Sequence, residues 1–126
     1  MQAVFVALQQ TRDAFLESGT MRVFHADAAL AEAWRRHGEL RPGLAFYLAG
    51  ADPHEGDRLG RLKLSDAGLA ERDRRVLAAL RARRIPAALS MAGGYGRELA
   101  ATVAVHRDTL EQAEASWRAW AAECRP

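Results

Sequence analysis

Two short stretches carry the residue types that could do chemistry. "AGADPHEGDRLG", residues 49–60, brings Asp52, His54, Glu55, Asp57 and Arg58 together between glycines. "AGGYG", residues 92–96, sets Tyr95 among three glycines. A short carboxylate such as Asp52, held by rigid backbone, suits a hard or borderline metal ion. Asp-Pro is also a good opener for a plain turn, so Asp52 has two readings. His54 and Glu55 could join a ligand set, but neither lies at an HExxH or Cys-x-x-Cys spacing, and solvated loop side chains are the simpler reading. Asp57 could brace the loop through backbone N–H groups, with Arg58 as a partner. A tyrosine hydroxyl at Tyr95 could donate a hydrogen bond to a developing oxyanion, or Tyr95 could simply pack beside a tight turn. The glycine pattern matches neither GxGxxG nor GxxxxGK, which argues against a nucleotide site.

The flanking segments must position these loops. "LAFYLAG", 44–50, is an apolar run bounded by glycines and reads as a buried strand of a parallel sheet. Ser65 can cap a helix over about 66–84, with Leu69, Asp73, Val76 and Leu80 on one face. Asp73, the polar member, is expected to pair with an arginine or sit at an edge. "IPAALSM", 85–91, reads as a second buried strand. In the last helix Leu99, Val103, His106, Leu110, Ala113, Trp117 and Trp120 recur in alternate steps of four and three, which reads as one inward stripe. His106 on that stripe reads as a hydrogen-bonded core histidine. Upstream, Val4, Leu8, Thr11 and Phe15 share a helical face from Met1 to about Glu17. "MRVFH", 21–25, reads as a strand, and a helix capped by Asp27 runs to His37. Strand, helix, strand, helix from residue 44 onward is the order of a parallel α/β layer. In such sheets sites form beyond the carboxyl ends of the strands, where both loops stand. If the strands are neighbours, the loops lie side by side.

The composition bounds the class. At 126 residues with 49% hydrophobic residues, the chain is expected to fold as one domain. A net charge of +2, carried by arginines and the single Lys63, does not point to nucleic acid. No run reaches membrane-spanning length and no signal peptide is evident. The lone Cys124 allows no intrachain disulfide. The expected compartment is the cytoplasm.

Taken together, "LAFYLAGADPHEGDRLGRLKLSDAGLAERDRRVL" and "IPAALSMAGGYG" resemble the carboxyl-terminal part of the histone deacetylase superfamily, closest to its bacterial and class IV-like members. The resemblance covers roughly residues 40–110, with 1–40 unmatched. It implies an α/β, arginase-like fold, present in part, with parallel strands and covering helices. It also implies zinc-dependent hydrolysis of acetyl-lysine or acetylated amines. Asp52 matches the last of three zinc ligands. Tyr95 matches the tyrosine that stabilises the tetrahedral intermediate. Leu59 matches a residue lining the substrate tunnel, and Gly93 and Gly94 match backbone that lets the acyl group approach. The family's histidine pair and its Asp-x-His ligands have no counterpart here, so the chain alone is expected to be inactive. The alternatives are a stand-alone α/β binding or assembly protein, or one half of a split enzyme completed by a partner chain. An uncovered apolar face would imply self-association or such a complementing chain.

Overall fold

A computed structural model describes residues 3–6, by their backbone, and residues 43–123 in full. Among the described residues, three parallel strands form one sheet in the order β1-β2-β3: β1 (Ala3–Val6), β2 (Leu44–Ala49) and β3 (Ala87–Met91). Ala3 pairs with Leu44, and Ala45 pairs with Ala87. Helix α1 (Asp66–Ala82) connects β2 to β3, and α2 (Leu99–Glu123) follows β3. This is the parallel α/β layer expected from the order of elements.

The amino end differs from the expected helix over 1–17. Val4 lies in β1, and Leu8, Thr11 and Phe15 fall outside the described residues. "AVFV" is rich in strand-favouring types, and β2 offers it a free edge to pair with. The strand expected at 21–25 and the helix from Asp27 to His37 also lie outside the described residues, as does Cys124.

β2 is not buried on both faces. Ala45, Tyr47 and Ala49 point into the core, whereas Leu48 is 44% exposed. β3, the last strand of the sheet among the described residues, is open over most of its length rather than buried. The buried side of β2 meets α1 in a cluster of Ala45, Tyr47, Ala49, Val76, Leu80 and Ile85. A second cluster of Ala51, Leu69 and Val105 joins the end of β2 to both helices.

Helix α1 begins as its sequence dictates, with the Ser65 Oγ accepting from the Gly68 N–H at 3.3 Å. It ends in a Schellman turn. The Ile85 N–H bonds the Leu80 carbonyl at 3.0 Å and the Arg84 N–H bonds the Arg81 carbonyl at 2.9 Å. Arg84 occupies the left-handed position that glycine usually fills, at φ 55°. Leu80 and Ile85 close the turn with their apolar contact.

Asp73 lies at the centre of the interior, fully buried. It accepts from Arg72 Nε at 2.8 Å, from Thr109 Oγ1 at 2.6 Å and from the Tyr47 hydroxyl. One carboxylate therefore joins β2, α1 and α2, and its arginine partner is its own neighbour. Burial pushes the Tyr47 hydroxyl well above its ordinary pKa. Arg72 opposes that rise, and the charge and hydrogen bond of Asp73 add to it.

The stripe on α2 is turned the other way from the expected arrangement. Its buried residues are Val105 and Thr109, while Leu99, Val103, Leu110 and Trp117 are exposed. His106 is half-buried, with its Nδ1 inside and without a hydrogen-bond partner among the described residues. The helix docks by the side that carries Val105 and Thr109, and the Thr109 hydroxyl is one of three side-chain donors to Asp73.

Candidate functional site

The loop after β2 and the loop after β3 lie against each other. The Ala51 N–H donates to the Gly93 carbonyl at 2.7 Å, where the strands end. Further out, the Arg58 N–H donates to the Tyr95 carbonyl at 3.1 Å, and the Arg97 N–H to the Gly56 carbonyl at 3.1 Å. Asp57 and Gly96 form an antiparallel bridge. The parallel pairing of β2 with β3 creates this juxtaposition, since it brings both carboxyl ends to one edge.

Asp57 holds the two loops together. Its side chain is buried, although the loop around it is half-open. Oδ1 accepts from the Leu59 N–H at 2.8 Å and the Gly60 N–H at 2.5 Å. Oδ2 accepts from the Tyr95 N–H at 2.5 Å. Burial alone pushes this carboxyl up. The three backbone donors, with Lys63 nearby, outweigh it and hold the group below the usual carboxylate range. The bracing expected of Asp57 is thus present. Arg58 does not pair with it, and its Nε reaches the Tyr95 carbonyl at 3.3 Å instead.

Asp52 sits at the floor of this patch, half-buried. A Cβ on Gly50 would lie 2.2 Å from its Oδ1, and one on Gly93 would lie 3.5 Å from the same oxygen. The carboxylate therefore occupies space that Gly50 leaves free, and at Gly93 a Cβ would only touch it. Gly60 is required for a different reason. A Cβ there would fall 1.8 Å from the Asp52 carbonyl oxygen, a backbone atom that no rotamer can move. At Gly94 a Cβ would meet the Ala51 Cβ at 2.9 Å, so its bareness lets the tyrosine loop close on β2. From below, Arg72 Nη1 donates to the Gly50 carbonyl at 2.7 Å and ties the end of β2 to the buried Asp73.

Tyr95 and Leu59 project outward from the braced backbone, at 58% and 70% exposure. The tyrosine is not a core residue. His54 is also accounted for. Its Nδ1 accepts from the Gly56 N–H at 3.1 Å, which leaves the proton on Nε2, 3.0 Å from Asp66 Oδ1. It is a hook from the loop to the first turn of α1 rather than a solvated side chain. Asp52, Leu59, Gly93, Gly94 and Tyr95 thus all belong to two loops joined at one strand edge. Arg72 was not legible as a contributor, because it lies on a helix and reaches the site only through the fold.

Among the described residues, no three His, Cys, Asp or Glu side chains come close enough to hold a metal ion. Zinc takes three or four protein ligands, and Asp52 offers one, so these residues do not by themselves fit a zinc ion. No helix among the described residues is long and apolar enough to cross a membrane.

Parallel strands with paired loops at their carboxyl ends define an α/β protein with a strand-end site. Comparison with known families carries this further. The sequence model of the histone deacetylase domain matches residues 6–110, which includes residues upstream of the resemblance seen at 40–110. The chain belongs to the histone deacetylase family. It is similar to histone deacetylase 2 of Arabidopsis thaliana, with 38% identity over 85 residues, covering 68% of this chain and 20% of that protein. An uncharacterized protein of Picosynechococcus sp. is 43% identical over 61 residues, 48% of this chain and 20% of the relative. The matches thus span a fifth of each relative's length.

Proposed function

We propose that this chain supplies the carboxylate-and-tyrosine side of a deacetylase site that acts on acetyl-lysine or a smaller acetylated amine. The observation that carries the reading is the joining of the Asp52 and Tyr95 loops at one strand edge, through Asp57 and three backbone pairs. In this reading Asp52 would supply one ligand to a zinc ion once other ligands complete the site, and the ion would polarise the amide carbonyl. The Tyr95 hydroxyl donates a hydrogen bond to the oxygen that gains negative charge as the amide is attacked. Its exposure suits a group that meets substrate, and Leu59 beside it forms part of the wall along the acyl-amine stem. Gly93 and Gly94 leave room at the backbone for the acyl group. In this reading the site becomes competent only when further metal ligands and a base complete it, since the described residues bring one carboxylate, Asp52, to the place of a ligand. The arginase-like architecture and the cytoplasmic compartment belong to the same proposal.

A chimera tests this. The 85 matched residues of this chain replace their counterparts in the Arabidopsis relative, and release of acetate from an acetyl-lysine peptide is measured. Activity is expected in the chimera, with a loss of at least about a hundredfold for Asp52→Ala and Tyr95→Phe, the scale of a removed oxyanion donor. A folded chimera whose activity ignores both substitutions would sink the assignment. Chelator-sensitive turnover by the isolated 126-residue chain would overturn the claim that it needs completing.

A further inference from the structure

The outward stripe of α2 is an apolar seam with a charge pattern. Leu99, Val103, Leu110 and Trp117 are 78%, 57%, 52% and 66% exposed. Val103, Leu110 and Trp117 recur every seventh residue, and His106, Ala113 and Trp120 follow each of them by three. Those three are half-buried along the border of the stripe. Steps of four and three are the spacing of a helix that packs knobs into the holes of another helix. From Leu99 to Trp120 the seam runs about 30 Å at 1.5 Å per residue.

The two flanks of this seam differ. One carries Thr102, Thr109 and Ser116, and it is turned inward, with Thr109 bonded to Asp73. The other carries Arg107 and Glu114, one heptad apart and opposite in sign. A parallel partner would bring the charged flank against the uncharged Thr102, Thr109 and Ser116 flank, where Arg107 and Glu114 find no opposite charge. An antiparallel partner related by a twofold axis brings each flank against itself. Arg107 then faces Glu114 of the second copy, and Glu114 faces its Arg107. The same register sets Leu110 on Ala113, His106 on Trp117 and Val103 on Trp120 across the axis, so a smaller residue meets a larger one at the first and last of these pairs. The present partners of these charges do not prevent the exchange. Arg107 with Glu111 at 3.5 Å, and Arg118 with Glu114 at 2.6 Å, are exposed pairs within one helix, of a kind that holds weakly.

We infer that α2 is the interface of an antiparallel homodimer, with the seam Val103–Leu110–Trp117 at its centre and two reciprocal Arg107–Glu114 pairs beside it. This is independent of the deacetylase reading and gives the outward stripe its occupant, a second copy of this chain.

The test is light scattering after size exclusion on the full chain, with circular dichroism to check each variant's helix content. The native chain is expected to run as a dimer. Leu110→Glu, Arg107→Glu and Glu114→Arg are each expected to weaken dimerization at least about tenfold. Mixing the Arg107→Glu and Glu114→Arg chains is expected to restore a dimer, because each mixed pair is again opposite in sign at both positions. The two charge variants lie on exposed positions, so they keep the test valid if Leu110→Glu fails to fold. A monomeric native chain overturns the inference, as does a dimer indifferent to all three substitutions. Failure of the mixed chains to recover overturns the antiparallel register. A monomer that instead binds a separate deacetylase chain through α2 overturns the second-copy assignment.

Discussion

Replacing Asp57 with asparagine keeps the shape of the side chain and removes one acceptor oxygen. In the native protein both oxygens accept from backbone, Oδ1 from Leu59 and Gly60 and Oδ2 from Tyr95. An amide can satisfy one side only, and its NH2 must then face an N–H donor on the other. Hydrogen bonds to a charged acceptor are worth about 1.5–3 kcal/mol each, and the misplaced donor adds an unsatisfied group. Loss of one such bond with a donor left facing a donor gives about 2–4 kcal/mol. That is a large share of the 5–15 kcal/mol typical of a small domain. Urea unfolding of Asp57→Asn against the native chain measures the loss, and hydrogen exchange at the Tyr95 amide locates it. The pH dependence supplies an independent sign. The folded carboxyl is held below its ordinary value of about 3.9, so its contribution is full above that pH and fades as pH falls through the lower folded value. The gap between native and variant stability should therefore narrow in acid below about pH 4. A variant within 0.5 kcal/mol of native at pH 7 (about the noise of surface substitutions), with the Tyr95 amide equally protected, would refute the claim that Asp57 joins the loops.

Three further outcomes follow from the geometry. Arg84→Gly relieves the left-handed backbone at φ 55° and should raise stability by about 1 kcal/mol in thermal unfolding; a loss would show that the arginine side chain matters more than the backbone. Gly60→Ala drives a Cβ to within 1.8 Å of the Asp52 carbonyl, so it should lower the urea midpoint by the equivalent of about 2–3 kcal/mol, and a neutral result would mean that the Asp52 backbone shifts freely. Thr109→Val keeps the shape but takes a donor from Asp73, and it should cost about 1–3 kcal/mol in urea unfolding; an unchanged midpoint would mean that the Asp73 cluster does not anchor α2.

The features legible in the residues alone are local or nearly so. The apolar run 44–49, the Ser65 cap and the strand-helix-strand order are set by residue type and short spacing, and each is present. The same order brought the Asp52 and Tyr95 loops to one edge, because parallel strands leave all their carboxyl ends on one side. The remaining features depend on contacts between residues far apart in the chain. Periodicity showed that α2 has an apolar face but not which face meets the protein, and the side that docks is the one bearing Val105 and Thr109, where Thr109 bonds Asp73. The bond from Asp57 to Tyr95 crosses 38 residues of sequence, and the reach of Arg72 to Gly50 crosses 22, so neither has a local signature. The amino-terminal strand shows the same limit. Its four residues carry strand-favouring types, yet they became β1 because β2 presented an edge to pair with. Chain spacing determines what a segment can form, and the donors and edges that other segments bring to it determine which of those forms persists.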